Sequence, residues 1–196
     1  DVFHHALLAL KVMGQASSPE FALAVLLHDV GKPPTFTKTD RIRFNNHTEV
    51  GAEIVRTVGQ RLRLSNDQID YIAGLVRDHM RFLNVRQMKD STLKRLLRQR
   101  NFEDLLELHR VDCLASHGDL TAWEFCRAKS KELGKEQTTP PRLLTGSDLI
   151  ELGYQPGPLF KEILTAVEDA QLEGEIHSRE EAVRYVEQHF PQRARD

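Results

Sequence analysis

Apolar residues recur every three or four positions along almost the whole chain, and alternating apolar and polar runs are almost absent. That spacing lines one face of an α-helix, whereas a half-buried strand needs a period of two. The pattern predicts an all-α fold: a helical bundle followed by a small helical C-terminal appendage. Helices are expected over 2–13, Phe21 to Asp29, 47–62, 66–79, 91–99, 102–116 and 119–134. Ser17-Ser18-Pro19-Glu20 reads as an N-cap with proline in the first turn. Gly31 reads as the C-cap of the second helix, and Pro33-Pro34 forbid its continuation. Ser65 to Gln68 has the form of a capping box. Residues 35–44 fit a short hairpin around Thr39-Asp40. Residues 135–142 are a polar, proline-containing break. Beyond it, helices are expected at 147–152, 158–172 and 178–189, the last opened by a second capping box from Ser178 and Glu181. The chain so divides into a main helical domain, 1–135, and a helical tail, 136–196.

Composition narrows the function classes. A chain of 196 residues can bury one sizeable core. Its net charge of -2 argues against a polybasic nucleic-acid wrapper and against an acidic tail protein. No apolar run approaches the roughly 18–20 residues that span a bilayer, so no membrane association is expected. Cys113 and Cys126 lack CxxC spacing, which fits a reducing, cytoplasmic setting. Charge is uneven: residues 41–110 carry 14 Lys+Arg against 9 Asp+Glu, a local excess that could meet phosphates. Arg86, Lys89, Lys94, Arg95, Arg98 and Arg100 supply much of it. The same residues could equally form a solvated helix face.

The nine histidines carry more information. In the first helix His5 shares a stripe with Ala9, Val12 and Ala16, so it points inward, while His4 points outward with Lys11 and Gln15. His47 precedes Val50, Ile54 and Val58 on one apolar stripe. His79 continues Ile69, Ile72 and Val76. His28-Asp29 ends a helix that is apolar nearly all round. Asp112 lies with Leu105, His109 and Ser116, beside Leu106 and Cys113. A buried carboxylate costs several kcal/mol unless a cation or a paired donor offsets it. Two inward carboxylates among several inward imidazoles point to a metal. Imidazole nitrogen with carboxylate oxygen suits Mn, Fe, Co, Ni or Zn, and Mg less readily. His109 could be a ligand or could orient Asp112 from one turn away. His117, His177 and His189 are expected at the surface.

His5, then His28-Asp29-Val30-Gly31-Lys32, then Asp112, resembles the H…HD…D signature of the HD superfamily of metal-dependent phosphohydrolases. Asp1-Val2-Phe3-His4-His5, Arg43 to His47, Arg77-Asp78-His79-Met80 and Val111 to Ala115 resemble one branch in particular. That branch is the HD region of bacterial tRNA nucleotidyltransferases (CCA-adding enzymes) and their poly(A) polymerase relatives. Leu144 to Leu149, Leu152-Gly153 and Pro156-Gly157-Pro158 are similar to the tail of those proteins. Their polymerase head, with its glycine-rich loop and D-x-D pair, has no counterpart here. The expectation is therefore a body and tail that cannot itself add nucleotides. Asp1 is not a methionine, which also suggests a segment of something longer.

The resemblance implies a HD-domain helical bundle with one or two divalent ions (Mn, Ni, Fe, Co or Mg). His5, His28, Asp29 and Asp112 would hold the first, with Asp29 bridging to a second held by His47 and His79. Asp29 and Lys32 would be catalytic, Lys32 gripping a phosphate oxygen unless it is an ordinary surface lysine. Arg77 and Arg81 would bind phosphate too. The implied substrates are nucleotides, 2′,3′-cyclic phosphates or RNA 3′ ends. A rival, non-catalytic reading has the helical body and an RNA-binding tail grip tRNA for an upstream polymerase.

Overall fold

The computed structural model describes residues 1–15 and 18–192. Ala16 and Ser17, touched on by the first stripe and the first predicted cap, lie outside the described residues. The structure is all-α apart from one small hairpin. It divides into two compact units, residues 1–86 with 100–129, and residues 87–99 with 130–196.

The first unit opens with α1 (Val2–Met13) and α2 (Pro19–Leu27). Ser18 caps α2, its hydroxyl accepting from the Phe21 amide at 3.0 Å, with Pro19 in the first turn. The hairpin follows: β1 (Phe36–Lys38) pairs antiparallel with β2 (Ile42–Phe44). Helix α3 (His47–Arg61) starts from Asn46, whose φ of 60° is a left-handed turn that asparagine tolerates. Helix α4 (Asn66–Asp78) begins with the predicted capping box, both halves formed between Ser65 and Gln68. A 3-10 turn over His79–Phe82 ends it.

Helix α5 (Asp90–Leu97) belongs to the second unit, and the chain then returns to the first with α6 (Phe102–Ala115) and most of α7 (Thr121–Glu132), whose last turn belongs to the second. In the first unit α3 packs along α4, α2 against α4 and α6, and α1 against α6 and α2. Phe21, Val25, Ile72, Leu75, Val76, Phe82, Leu105 and Leu108 are buried between them. Each such side chain stabilises by about 1.5–3 kcal/mol.

Gly31 does something other than the C-cap role expected of it. It is absent from the positive-φ residues, and α2 ends instead at His28 in right-handed geometry. A Cβ at Gly31 would lie 2.0 Å from the His47 carbonyl oxygen and 2.6 Å from the Gly51 amide nitrogen. The glycine lets two backbones touch, and so brings the turn after α2 against the start of α3.

The second unit holds α5, α8 (Lys135–Thr138), α9 (Gly146–Glu151), α10 (Pro158–Glu173) and α11 (Arg179–His189). Leu144, Leu149, Tyr154, Ile163, Val167, Ala170, Ile176, Ala182 and Val186 form its core. This division differs from the linear split at 135, because α5 has its ion-pair partners in α10. Arg95 binds Glu168 at 2.7 Å and also Asp169, and Arg98 binds Glu168 at 2.6 Å. Those arginines are therefore engaged inside the unit rather than presented to phosphate. Lys94 likewise donates to the Leu172 carbonyl at 2.5 Å. The break at 135–142 contains the one-turn helix α8, which periodicity is too short to reveal. At α11 the Ser178 hydroxyl accepts from the Glu181 amide, but the Glu181 carboxylate reaches back to the His177 amide instead of closing the box on Ser178. A capping box that the sequence reading passed over joins Thr145 and Asp148.

Candidate metal centre

Six side chains from five places along the chain meet in the first unit. His5 comes from α1, His28 and Asp29 from the end of α2, His47 from the first position of α3, His79 from the end of α4, and Asp112 from α6. They form two groups whose donor atoms all lie within 4.8 Å of one another: His5, His28 and Asp112, and Asp29, His47 and His79. Asp29 faces both. Its Oδ2 lies 3.8 Å from His5 Nε2 and 3.5 Å from His28 Nε2. Its Oδ1 lies 3.8 Å from His47 Nε2 and 3.7 Å from His79 Nε2. His5 Nε2 also stands 3.0 Å from Asp112 Oδ1 and 3.1 Å from His28 Nε2.

The same local device orients three of the imidazoles. His28 Nδ1 donates to the Val25 carbonyl at 2.7 Å, His79 Nδ1 to the Val76 carbonyl at 2.6 Å, and His47 Nδ1 to the Phe44 carbonyl at 2.9 Å. Each acceptor sits three residues earlier. Val25 and Val76 lie in the last turns of α2 and α4, where carbonyls lack a continuing helix to bond. A carbonyl can only accept, so Nδ1 of each ring carries a proton and Nε2 is the nitrogen left to face Asp29.

Two of these nitrogens have no other partner. Asp29 Oδ1, His47 Nε2 and His79 Nε2 are buried without a hydrogen-bond partner among the described residues. Each orphaned buried polar atom costs about 1–3 kcal/mol. Three of them converging on one point fit a divalent ion, and the nitrogen and oxygen donors suit a transition metal.

The ionisation states are mixed: burial opposes charge on His28, but Asp112 and Asp29 outweigh it and raise that ring's pKa. Burial pushes against a charge on Asp29, but the nearby His79 and His28 rings and the Lys32 ammonium outweigh it, and the carboxyl sits well below the usual carboxylate range. Burial likewise opposes charge on Asp112, and His28 reverses it, so that pKa is also lowered. Burial lowers the His47 pKa and keeps that ring in its ligating, neutral form. Burial lifts the Cys113 thiol to about 11 and that of Cys126 to about 12, so neither free, buried cysteine is a nucleophile.

The remaining sequence candidates stand elsewhere. Lys32 Nζ is 2.6 Å from Asp29 Oδ2, so its ammonium pairs with that carboxylate. His109 stacks on Phe82, ring centroids 4.9 Å apart, with Cys113 Sγ 3.6 Å from its Nε2. It belongs to neither donor group. Arg77 and Arg81 both turn to Asp78, at 3.3 and 3.9 Å. His4 is exposed and pairs with Asp1, leaving His5 as the inward ring of α1. The Val25, Phe44 and Val76 carbonyls were missed in the sequence reading, since backbone acceptors leave no mark on residue type.

With this geometry in view, the comparisons are decisive about lineage. The family model for the HD domain matches residues 2–114. The chain belongs to the HD domain family. That span contains all six donors, and HD domains bind divalent metals. Among curated proteins the chain is 33% identical to an A-adding tRNA nucleotidyltransferase of Deinococcus radiodurans, over 95% of the chain and 46% of that protein. It is 39% identical to a CC-adding tRNA nucleotidyltransferase of Thermus thermophilus, over 83% of the chain and 38% of that protein. A multifunctional CCA protein of Legionella pneumophila is 32% identical over 50% of the chain and 24% of its own length. The chain thus spans less than half the length of each of these relatives. The first alignment runs far beyond the HD domain, so the second unit is shared as well. Among the described residues, no helix is long and apolar enough to cross a membrane.

Proposed function

We propose that this HD domain is a divalent-metal-dependent phosphohydrolase acting on nucleotides, 2′,3′-cyclic phosphates or RNA 3′ ends. The observation that carries the reading is the pair of donor groups joined through the two oxygens of Asp29. A divalent cation held there supplies an acidified water and neutralises charge on phosphoryl oxygens. The chain's own residues do the rest. The carbonyls of Val25, Phe44 and Val76 hold the three rings in one tautomer, so no reorganisation is needed at the moment of reaction. His5 and Asp112, with side chains 19% and 25% exposed, make the open edge where a phosphoester can enter. His79, at 1%, closes the floor. Lys32 reaches Asp29 through a flexible stem, and can pass from that carboxylate to a phosphoryl oxygen as the substrate's charge arrives. The test is phosphate release from 2′,3′-cyclic nucleotides and from a generic diester with added Mn or Ni. Activity is expected, and Asp29→Ala should lower it by on the order of a hundredfold or more while circular dichroism stays unchanged. Turnover that survives Asp29→Ala would refute the reading.

A second reading has its own support in the tRNA nucleotidyltransferase relatives. There the body and tail hold tRNA, and the centre is a structural staple. That reading requires tRNA binding that weakens steeply with salt, and no metal-dependent turnover.

A further inference from the structure

The hairpin between the two halves of the centre has a face that the hydrolytic reading leaves unused. Its register pairs Phe36 with Phe44 and Lys38 with Ile42. Side chains alternate across a strand, so Phe36, Lys38, Ile42 and Phe44 share one face, while Thr37 and Arg43 take the other. That face is open at its outer residues, Phe36 at 51% and Ile42 at 56% exposed, while Phe44 is half-buried. The two phenylalanine rings are 6.0 Å apart between centroids and tilted by 52°. Phe36 and Ile42, left in water on the two short strands, add little to the core of the unit.

The face is tied to the metal centre at two points. The Phe44 carbonyl holds His47 Nδ1. Lys32 Nζ lies 5.9 Å from the Phe44 ring centroid and 2.6 Å from Asp29 Oδ2. One lysine ammonium therefore separates an accessible aromatic surface from a ligand oxygen. Lys38 and Arg41, both exposed, add positive charge along the same hairpin. An exposed aromatic ring beside cations that border the proposed phosphoryl site complements a ligand with a planar ring at one end and a phosphate at the other.

We propose that Phe36 and Phe44 form a stacking platform that selects phosphoesters carrying a nucleobase. This inference rests on the phosphohydrolase reading for the position of the phosphate. Stacking on an aromatic side chain strengthens binding of a base by roughly 5- to 100-fold. It does so whichever base is offered, because every base has a π-face.

The probes are AMP and ribose 5-phosphate, which differ by the base alone. Their binding to the Mn-loaded chain is measured by equilibrium dialysis in the cold, with recovery of intact ligand checked by chromatography. AMP should bind roughly 5- to 100-fold more tightly. Phe36→Ala should bring AMP down toward ribose 5-phosphate and leave the latter unchanged, while Phe36→Tyr keeps the preference. Phe36 is exposed, so these variants should fold as the parent does. Equal affinities, no affinity for either probe, or a preference that survives Phe36→Ala each overturn the proposal. A chain that prefers AMP through Phe36 yet turns over no phosphoester keeps the platform and loses the hydrolase.

Discussion

Asp29 is the residue on which both donor groups depend, because one oxygen faces each. Asp29→Ala should therefore remove metal from both. His79→Ala should weaken binding at its own group by at least about tenfold and spare His5, His28 and Asp112. Metal titration of the two variants, followed by a competing chelator, distinguishes these outcomes; equal losses would mean that the groups are not separable. All six donors were legible in the sequence, since helical phase alone sets His5, His47, His79 and Asp112 on inward stripes. The roles of Lys32, His109, Arg77 and Arg81 were less so. A long side chain takes its partner from three-dimensional neighbours such as Asp29 or Asp78, and spacing does not reveal them. The hairpin's aromatic face was equally hidden, because three-residue strands are too short to show alternation.

At the scale of elements, close backbone contact positions the centre and capping only stabilises it. Gly31→Ala would drive a Cβ into the His47 carbonyl, which must then move along with its imidazole. A loss of about 1–3 kcal/mol is expected by denaturant melt, together with weakened metal binding. Ser65→Ala breaks the α4 capping box and should cost about 0.5–2 kcal/mol with metal affinity intact. If both variants bind metal like the parent, the contact at Gly31 does not position His47. In the second unit, burial pushes the Glu168 pKa up, but Arg95 and Arg98 more than reverse this and the folded value is lowered. A depressed carboxylate stabilises above its unfolded pKa of about 4.3, and that contribution is lost as pH falls through the folded value. Glu168→Gln should thus be less stable than the parent at neutral pH, with the difference vanishing in acid; a gap that persists in acid would contradict the assignment. Helix boundaries were readable from apolar spacing and caps. The placement of α5 with α10 was not, since their ion pairs join residues some seventy positions apart.

For the whole molecule, the sequence reading and the comparisons meet at the family and separate at the activity. HD domain membership explains why five elements converge with buried imidazoles and carboxylates. The nucleotidyltransferase relatives are more than twice as long as the matched segment, so their chemistry does not transfer with the alignment. The sequence suggested a basic middle stretch for phosphate. The structure engages Lys94, Arg95 and Arg98 inside the second unit, so the proposed tRNA contact would have to use other surfaces. The hydrolytic reading has one requirement that the tRNA-holding reading can do without, a cation among His5, His28, Asp29, His47, His79 and Asp112. Elemental analysis of the purified chain, after incubation with Mn, Fe, Co or Ni and exhaustive dialysis, addresses it directly. One or two equivalents of a divalent metal are expected in the parent and essentially none in Asp29→Ala. A folded parent chain that retains no metal under any of these conditions would contradict the account at its root.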